Sequence, residues 1–177
     1  DGASFGGKNP TGPIGATALN YNAPKIPTIP SLSGVRGVED DRPSIAPAVS
    51  VEDESDIGSV SGSVAVNYGR DGPGVITFND SFTSGGSKAG GALLSHGEPV
   101  VVTHTGNTYT GTAKGETVFT LVLDPATGGY TFTQFKELDH ADGSNPNDSI
   151  SLVFGVTATD KDGDTATTTI TVNVHDD

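Results

Sequence analysis

Three carboxylates, Asp160, Asp162 and Asp164, stand at alternate positions of Thr159-Asp-Lys-Asp-Gly-Asp-Thr165, with Gly163 inside the series. Carboxylates are hard oxygen donors. Calcium takes six to eight oxygens at roughly 2.3–2.6 Å, and one tight D-x-D-G-D turn offers several of them. The same residues supply no nucleophile, phosphate cradle or basic groove. A solvated Asp-Gly hairpin turn is the plainer alternative that composition permits. A helix-loop-helix calcium loop does not fit. Both flanks alternate with period two, and Thr171 stands where the bidentate glutamate at the twelfth loop position belongs.

Two further clusters carry oxygen donors. Glu39, Asp40 and Asp41 open an acidic tract that continues through Glu52, Asp53, Glu54 and Asp56, and the chain closes on His175-Asp176-Asp177. Acidic residues at both ends of a module suit cations clamped at junctions between neighbouring units, or plain solvated charges. The other cluster is Asp139, Asp142, Asn145, Asn147 and Asp148. Its carboxylates and amides suit a calcium ion or simple turn chemistry equally, and it would form one wall of any ligand site. The histidines weigh little. His96 and His104 lie eight apart with no cysteine to support zinc, and His140 is expected to hydrogen-bond within its own loop.

Strands must position these groups. Residues 59–68 alternate Val60, Val64, Val66 and Tyr68 against small polar residues, and residues 75–78 follow the turn Asp71-Gly-Pro-Gly74. Further strands are expected over residues 99–105, 108–113, 117–123 and 130–135, with Asp124-Pro-Ala-Thr-Gly-Gly129 as a hairpin loop. The cleanest alternation lies in residues 149–159 (Ile150, Leu152, Phe154, Val156) and 165–174 (Ala166, Thr168, Ile170, Val172, Val174). Residues 136–141 look like a helical turn. Asn79-Asp-Ser81 and Asn147-Asp-Ser149 match a glycosylation sequon and read as loops. Short strands with frequent turn signals predict an all-β fold, an antiparallel β-sandwich with one wet face per sheet.

Residues 1–38 differ. Seven of the eleven prolines fall within residues 1–50, and Ile26, Ile29, Leu32 and Val35 recur every third position beside Pro27 and Pro30. That pattern excludes a helix and suits polyproline II, as a linker or as a strap on a neighbouring surface. Lys8, Lys25 and Arg36 are the charges of residues 2–38, so the domain boundary is placed where the acids begin, at residue 39.

Over all 177 residues the formal net charge is −13, from 22 acidic and 9 basic side chains, and Cys, Met and Trp are absent. That charge repels nucleic acid and anionic membranes, and it opposes compaction unless cations neutralise it. Disulfides and thiolate metal sites are excluded. No apolar run approaches the roughly 18–20 residues of a membrane span. Asp1 opens no signal-peptide pattern, as an internal segment of a longer protein would not. Catalysis is not expected. Glu98, Glu116 and Glu137 are isolated, and no G-x-S-x-G elbow, H-E-x-x-H pair or phosphate loop is present.

Residues 111–132, from Gly-Thr-Ala-Lys-Gly-Glu-Thr-Val-Phe to Gly-Gly-Tyr-Thr-Phe, are followed by Leu138-Asp-His140, Asn147-Asp-Ser-Ile150, Val156-Thr-Ala-Thr-Asp-Lys-Asp-Gly-Asp-Thr165 and Val174-His-Asp-Asp177. In order and spacing, over residues 39–177, these motifs resemble the repeat domains of giant RTX adhesins exported by type I secretion. The resemblance implies a calcium-stabilised β-sandwich of immunoglobulin-like or cadherin-like type, loaded with several Ca2+ ions. It would be a monomeric module on the bacterial cell surface that serves adhesion and biofilm formation. Its partners would be neighbouring domains of the same chain. In that family most copies are rigid extenders, and some are receptor modules that bind a surface peptide or glycan. Residues 1–38 have no counterpart in the ordinary repeat, and the Gly-rich residues 82–94 could form a flexible ligand-facing loop; both favour the receptor alternative. The glycine-rich nonapeptide arrays of calcium β-rolls are absent.

Overall fold

A computed structural model describes residues 41–87 and 91–176. The expected strap over residues 1–38, and Glu39, Asp40 and Asp177, lie outside the described residues. The strands are β1 (Ser44–Ile45), β2 (Ala48–Asp53), β3 (Ser59–Ser63), β4 (Val66–Asn67), β5 (Val75–Gly85), β6 (Leu94–Ser95) and β7 (Glu98–Pro99). They continue with β8 (Val101–Thr105), β9 (Thr108–Ala113), β10 (Glu116–Leu123), β11 (Gly129–Gln134), β12 (Ser149–Thr159) and β13 (Thr165–His175). One 3-10 turn spans Glu54–Asp56. The fold is all-β, as expected.

The strands form two main layers. A five-stranded sheet runs β3-β11-β10-β9-β8 and a four-stranded sheet runs β2-β13-β12-β5, with small ribbons β1-β4 and β6-β7 beside them. Period-two alternation turns one face of each sheet inward. Phe119, Leu121 and Phe132 come from the larger sheet; Ile76, Phe154, Val156, Ile170 and Val172 come from the smaller, all fully buried. Tyr109 meets Phe78 edge-on at 4.7 Å, and Phe119 meets Phe154 at 6.3 Å, so the layers share a sandwich-like core. Each such side chain contributes roughly 1.5–3 kcal/mol by leaving water.

Several expectations are corrected. The pairing is not wholly antiparallel. β2 lies parallel to β13, with Ala48 opposite Ile170 and Asp53 opposite His175. The stretch 59–68 is not one strand, because the Val64 N–H donates to Gly128 O and the chain passes from β3 in the larger sheet to β4 in a separate ribbon. Residues 99–105 split between β7 and β8, where the Val100 N–H donates to Leu93 O. β5 runs on to Gly85, so Asn79–Asp80–Ser81 lies within a strand and not a loop, and residues 82–85 of the Gly-rich stretch are sheet. Residues 136–141 form no helical turn. The Lys136 N–H donates to Val118 O, that of Leu138 to Glu54 and that of Asp139 to Leu94 O, so these donors serve other elements.

The long hairpin sets up two poles. Thr159 of β12 pairs with Thr165 of β13 and with Val75 of β5, which puts the 160–164 turn beside the segment that enters β5. At the other end Ser149 pairs with His175, and β2 ends alongside. Strands of 11 residues separate the poles, about 35 Å at 3.3 Å per residue.

Candidate metal centres

At the first pole Asp160 builds the turn that carries it. Its backbone N–H donates to Asp164 O at 3.0 Å, and its Oδ1 accepts from the N–H groups of Gly163 at 3.0 Å and Asp164 at 2.8 Å. Gly163 has φ +105°, a conformation that side chains resist and glycine tolerates. With Oδ1 committed, the buried Oδ2 has no hydrogen-bond partner. Carboxylate oxygens of Asp71, Asp160 and Asp162 lie within 4.8 Å of one another.

Asp71 arrives through a close backbone approach. Gly74 lies flat against Thr159 and Asp160, and a Cβ there would fall inside the contact radius of Thr159 O. This loop therefore seats only with glycine at 74. Asp71 Oδ2, like Asp160 Oδ2, is buried without a hydrogen bond.

Three like charges this close disturb one another's titration. Burial works against ionised Asp160, but hydrogen bonds from Asp162 and from the Asp164 and Gly163 N–H groups outweigh it and hold its carboxyl below the ordinary aspartate value. Asp162 is pushed up by the hydrogen bond it shares with Asp160, by burial, and by the charges of Asp160 and Asp71. A divalent cation among these oxygens would relieve the repulsion between them. The donors are all oxygens, two of them buried and unused, and this fits calcium. Asp164 is not one of the three; its Oδ2 lies 3.9 Å from Arg42 Nε. Asp41, whose Cβ lies next to Gly69, is not one of the three either.

At the second pole Glu54, His140 and Asp176 bring a ligand atom each within 4.8 Å of the others. Glu54 and His140 are buried. Burial pushes the Glu54 carboxyl up, against the Leu138 N–H, the Gln134 amide and the His140 ring, which pull it down. His140 does not bond within its loop as expected. Its backbone bridges to Ser87, and its Nε2 lies 3.4 Å from Glu54 Oε2. Glu52, on β2, accepts the Gly58 N–H at 3.0 Å, while Asp53 and Asp56 are exposed.

The third cluster serves turns. Asp139 accepts the N–H groups of His96 and Gly97 at 2.8 and 2.7 Å, Asp142 accepts from Ser144, and Asp148 accepts from Asp142 and Ser149. The Asn147 N–H donates to Asn145 Oδ1. Backbone N–H groups, first that of Asp142, hold the Asp148 carboxyl below its ordinary value despite some desolvation. These residues form none of the three-ligand groups among the described residues. His96 and His104 do not meet either. His104 sits 2.5 Å from Asp80 Oδ1 and 2.6 Å from Gly106 O, while His96 faces Glu137 at 3.7 Å.

A family described as "Domain of unknown function (DUF5801)" matches residues 45–173, well over half of the chain. The chain belongs to this family. No curated protein matches it. The matched span of this DUF5801 domain contains Asp71, Asp160 and Asp162 together with Glu54 and His140, and Asp176 lies just beyond it.

Two residues escaped the sequence reading. By sequence Asp71 reads as part of a turn, and its signal is the Gly-Pro-Gly that follows it ahead of a strand. By sequence His140 reads as a loop residue, and nothing local indicates that it meets Glu54, 86 positions earlier.

Proposed function

We propose that this DUF5801 domain is a calcium-dependent module of a bacterial surface adhesin of the type I-secreted RTX kind, an extender that carries a ligand-binding tip away from the cell. The observation that carries the reading is the convergence of Asp71, Asp160 and Asp162 from two loops, with the buried Oδ2 atoms of Asp71 and Asp160 left without hydrogen bonds. Calcium held there would tie the loop before β5 to the β12–β13 turn and cancel the repulsion within the site. Where calcium is scarce the chain stays loose enough to be exported. At millimolar calcium, sites with dissociation constants of about 10⁻⁴ M fill and stiffen it. A tenfold excess over the dissociation constant contributes about 1.4 kcal/mol per site.

The two-pole layout supports a spacer. Described residues enter at the first pole, where Arg42 meets Asp164, and leave at the second, where Asp176 meets Glu54 and His140. Units joined end to end would bring one unit's second pole to the next unit's first. The receptor alternative leans on residues 1–38, which lie outside the described residues, and on residues 82–94, of which 82–85 continue β5; the two-pole layout favours the extender.

A thermal melt tests it. Calcium at ten times the dissociation constant should raise the midpoint by about 4–7 °C over chelator. Equal midpoints would end the calcium reading.

A further inference from the structure

The geometry points to a transition-metal site, of zinc's class, at the second pole, held by Glu54, His140 and Asp176 and chemically distinct from the all-oxygen calcium site. Its donor set is one imidazole nitrogen and two carboxylates. Calcium prefers a shell of oxygens alone, whereas zinc takes nitrogen and oxygen ligands, commonly three from protein with a fourth position open.

The unsatisfied atoms argue for a missing centre. His140 is only 5% exposed, yet neither ring nitrogen makes a hydrogen bond. Asp176 Oδ2 is buried and equally without one. Buried polar atoms normally find partners, and here the buried His140 ring, whose Nε2 has only the Glu54 carboxylate near it, and the buried Asp176 Oδ2 make no hydrogen bond although their side chains converge. The spacing fits as well. His140 Nε2 and Glu54 Oε2 stand 3.4 Å apart, longer than a charge-assisted hydrogen bond of about 2.7–2.9 Å. A tetrahedral centre with arms of about 2.1 Å has edges of about 3.4 Å.

The surroundings preorganise the ligands. Glu54 Oε1 accepts the Leu138 N–H at 2.8 Å and the Gln134 amide, which leaves Oε2 to face the ring. Outer hydrogen bonds of this kind orient metal-binding carboxylates. The Asp176 N–H donates to Asp148 O at 3.0 Å and holds the backbone after β13 beside the site. His140 and Asp176 also line a cavity of about 420 Å³ with Asp139, His96 and Gly143. That cavity is a route for the ion and room for its water. A bound ion would fasten the turn after β2, the connection before β12 and the tail after β13 to one point.

The experiment uses the full chain, stripped with chelator and kept in excess calcium so that the first pole is filled. Zinc is added, free metal is removed by dialysis, and bound zinc is counted by mass spectrometry; Co2+ serves as the spectroscopic probe. A single retained zinc per chain, with visible Co2+ bands of low coordination number, is expected. Asp176→Asn, isosteric and just beyond the last residue of β13, should weaken zinc binding by at least the roughly 10–100-fold that loss of a supporting group costs. His140→Gln should abolish it, with circular dichroism reporting the fold. Glu98→Gln, at the exposed ion pair with Lys114, should leave it unchanged. No retained zinc in the folded wild-type chain, or wild-type affinity in Asp176→Asn, would overturn the assignment and leave an ion pair only. Because calcium binding is read separately, either site can fail alone.

Discussion

The hydroxyls of Ser50 and Tyr130 meet at 2.7 Å in the buried space between the two sheets. Ser50 belongs to β2 and Tyr130 to β11, so this bond links the layers. Its room comes from Gly62, the β3 residue paired with Tyr130, where a Cβ would collide with the phenol oxygen. Tyr130→Phe strands the Ser50 hydroxyl and should cost about 1–2 kcal/mol, read from urea unfolding. Gly62→Ala displaces the ring itself and should cost about 1–3 kcal/mol. Adding Ser50→Ala to Tyr130→Phe should recover part of the loss, because neither polar group then remains buried alone. No recovery in the double variant would contradict the bond's role.

Asp71, and not Asp164, should control the calcium site proposed at the first pole. Asp71→Asn is expected to weaken calcium binding about tenfold or more, close to 1.4 kcal/mol, and Asp164→Asn, outside the three-carboxylate group, to weaken it less. Gly74→Ala should weaken binding as Asp71→Asn does, since it lifts the loop off Thr159. Calorimetric titration of the three variants decides the ranking; equal effects of Asp71→Asn and Asp164→Asn would contradict it.

Glu52 gives the ion-free protein a pH dependence of defined sign. Burial pushes its carboxyl above the ordinary value of 4.5, with the charges of Asp53 and Asp56 adding and the Gly58 N–H opposing. The fold favours the neutral form. Its contribution is full below pH 4.5 and is lost as pH rises through the raised value. In chelator, Glu52→Gln should therefore flatten the decline in stability above pH 4.5 and raise the melting point at neutral pH. An unchanged slope would show that Glu52 is not its source.

Asp139 is expected to act through its turn. Both its oxygens accept backbone N–H groups of the β6–β7 connection, where His96 adopts φ 52°. Asp139→Ala should cost about 1–2 kcal/mol, and by the same amount in calcium and in chelator. A loss seen only in calcium would make it a ligand.

Some of this was legible from spacing alone. The alternation from Ile150 to Val156 and from Ile170 to Val174 places β12 and β13, because period-two burial leaves a local trace in any strand. Asp124 to Gly129 reads as a hairpin for a similar reason. Its turn is closed by neighbours, with Asp124 Oδ1 accepting the Ala126 N–H and Gly128 at φ +76°. Asp160 also announced itself, since D-x-D-G-D is a local pattern.

What the chain determined unaided, then, is everything that depends on residues within one turn or one strand: the β class, most strand positions and the acidic turn. Only the tertiary structure decided which distant groups meet. It drew Glu52 and Asp53 into a parallel edge strand, set Asp71 on Asp160 through the bare backbone of Gly74, and left Asp164 out of the cluster. It also closed Glu54, His140 and Asp176 on one another at the far pole. Such meetings follow from strand order and register, which many residues fix together and no short motif encodes.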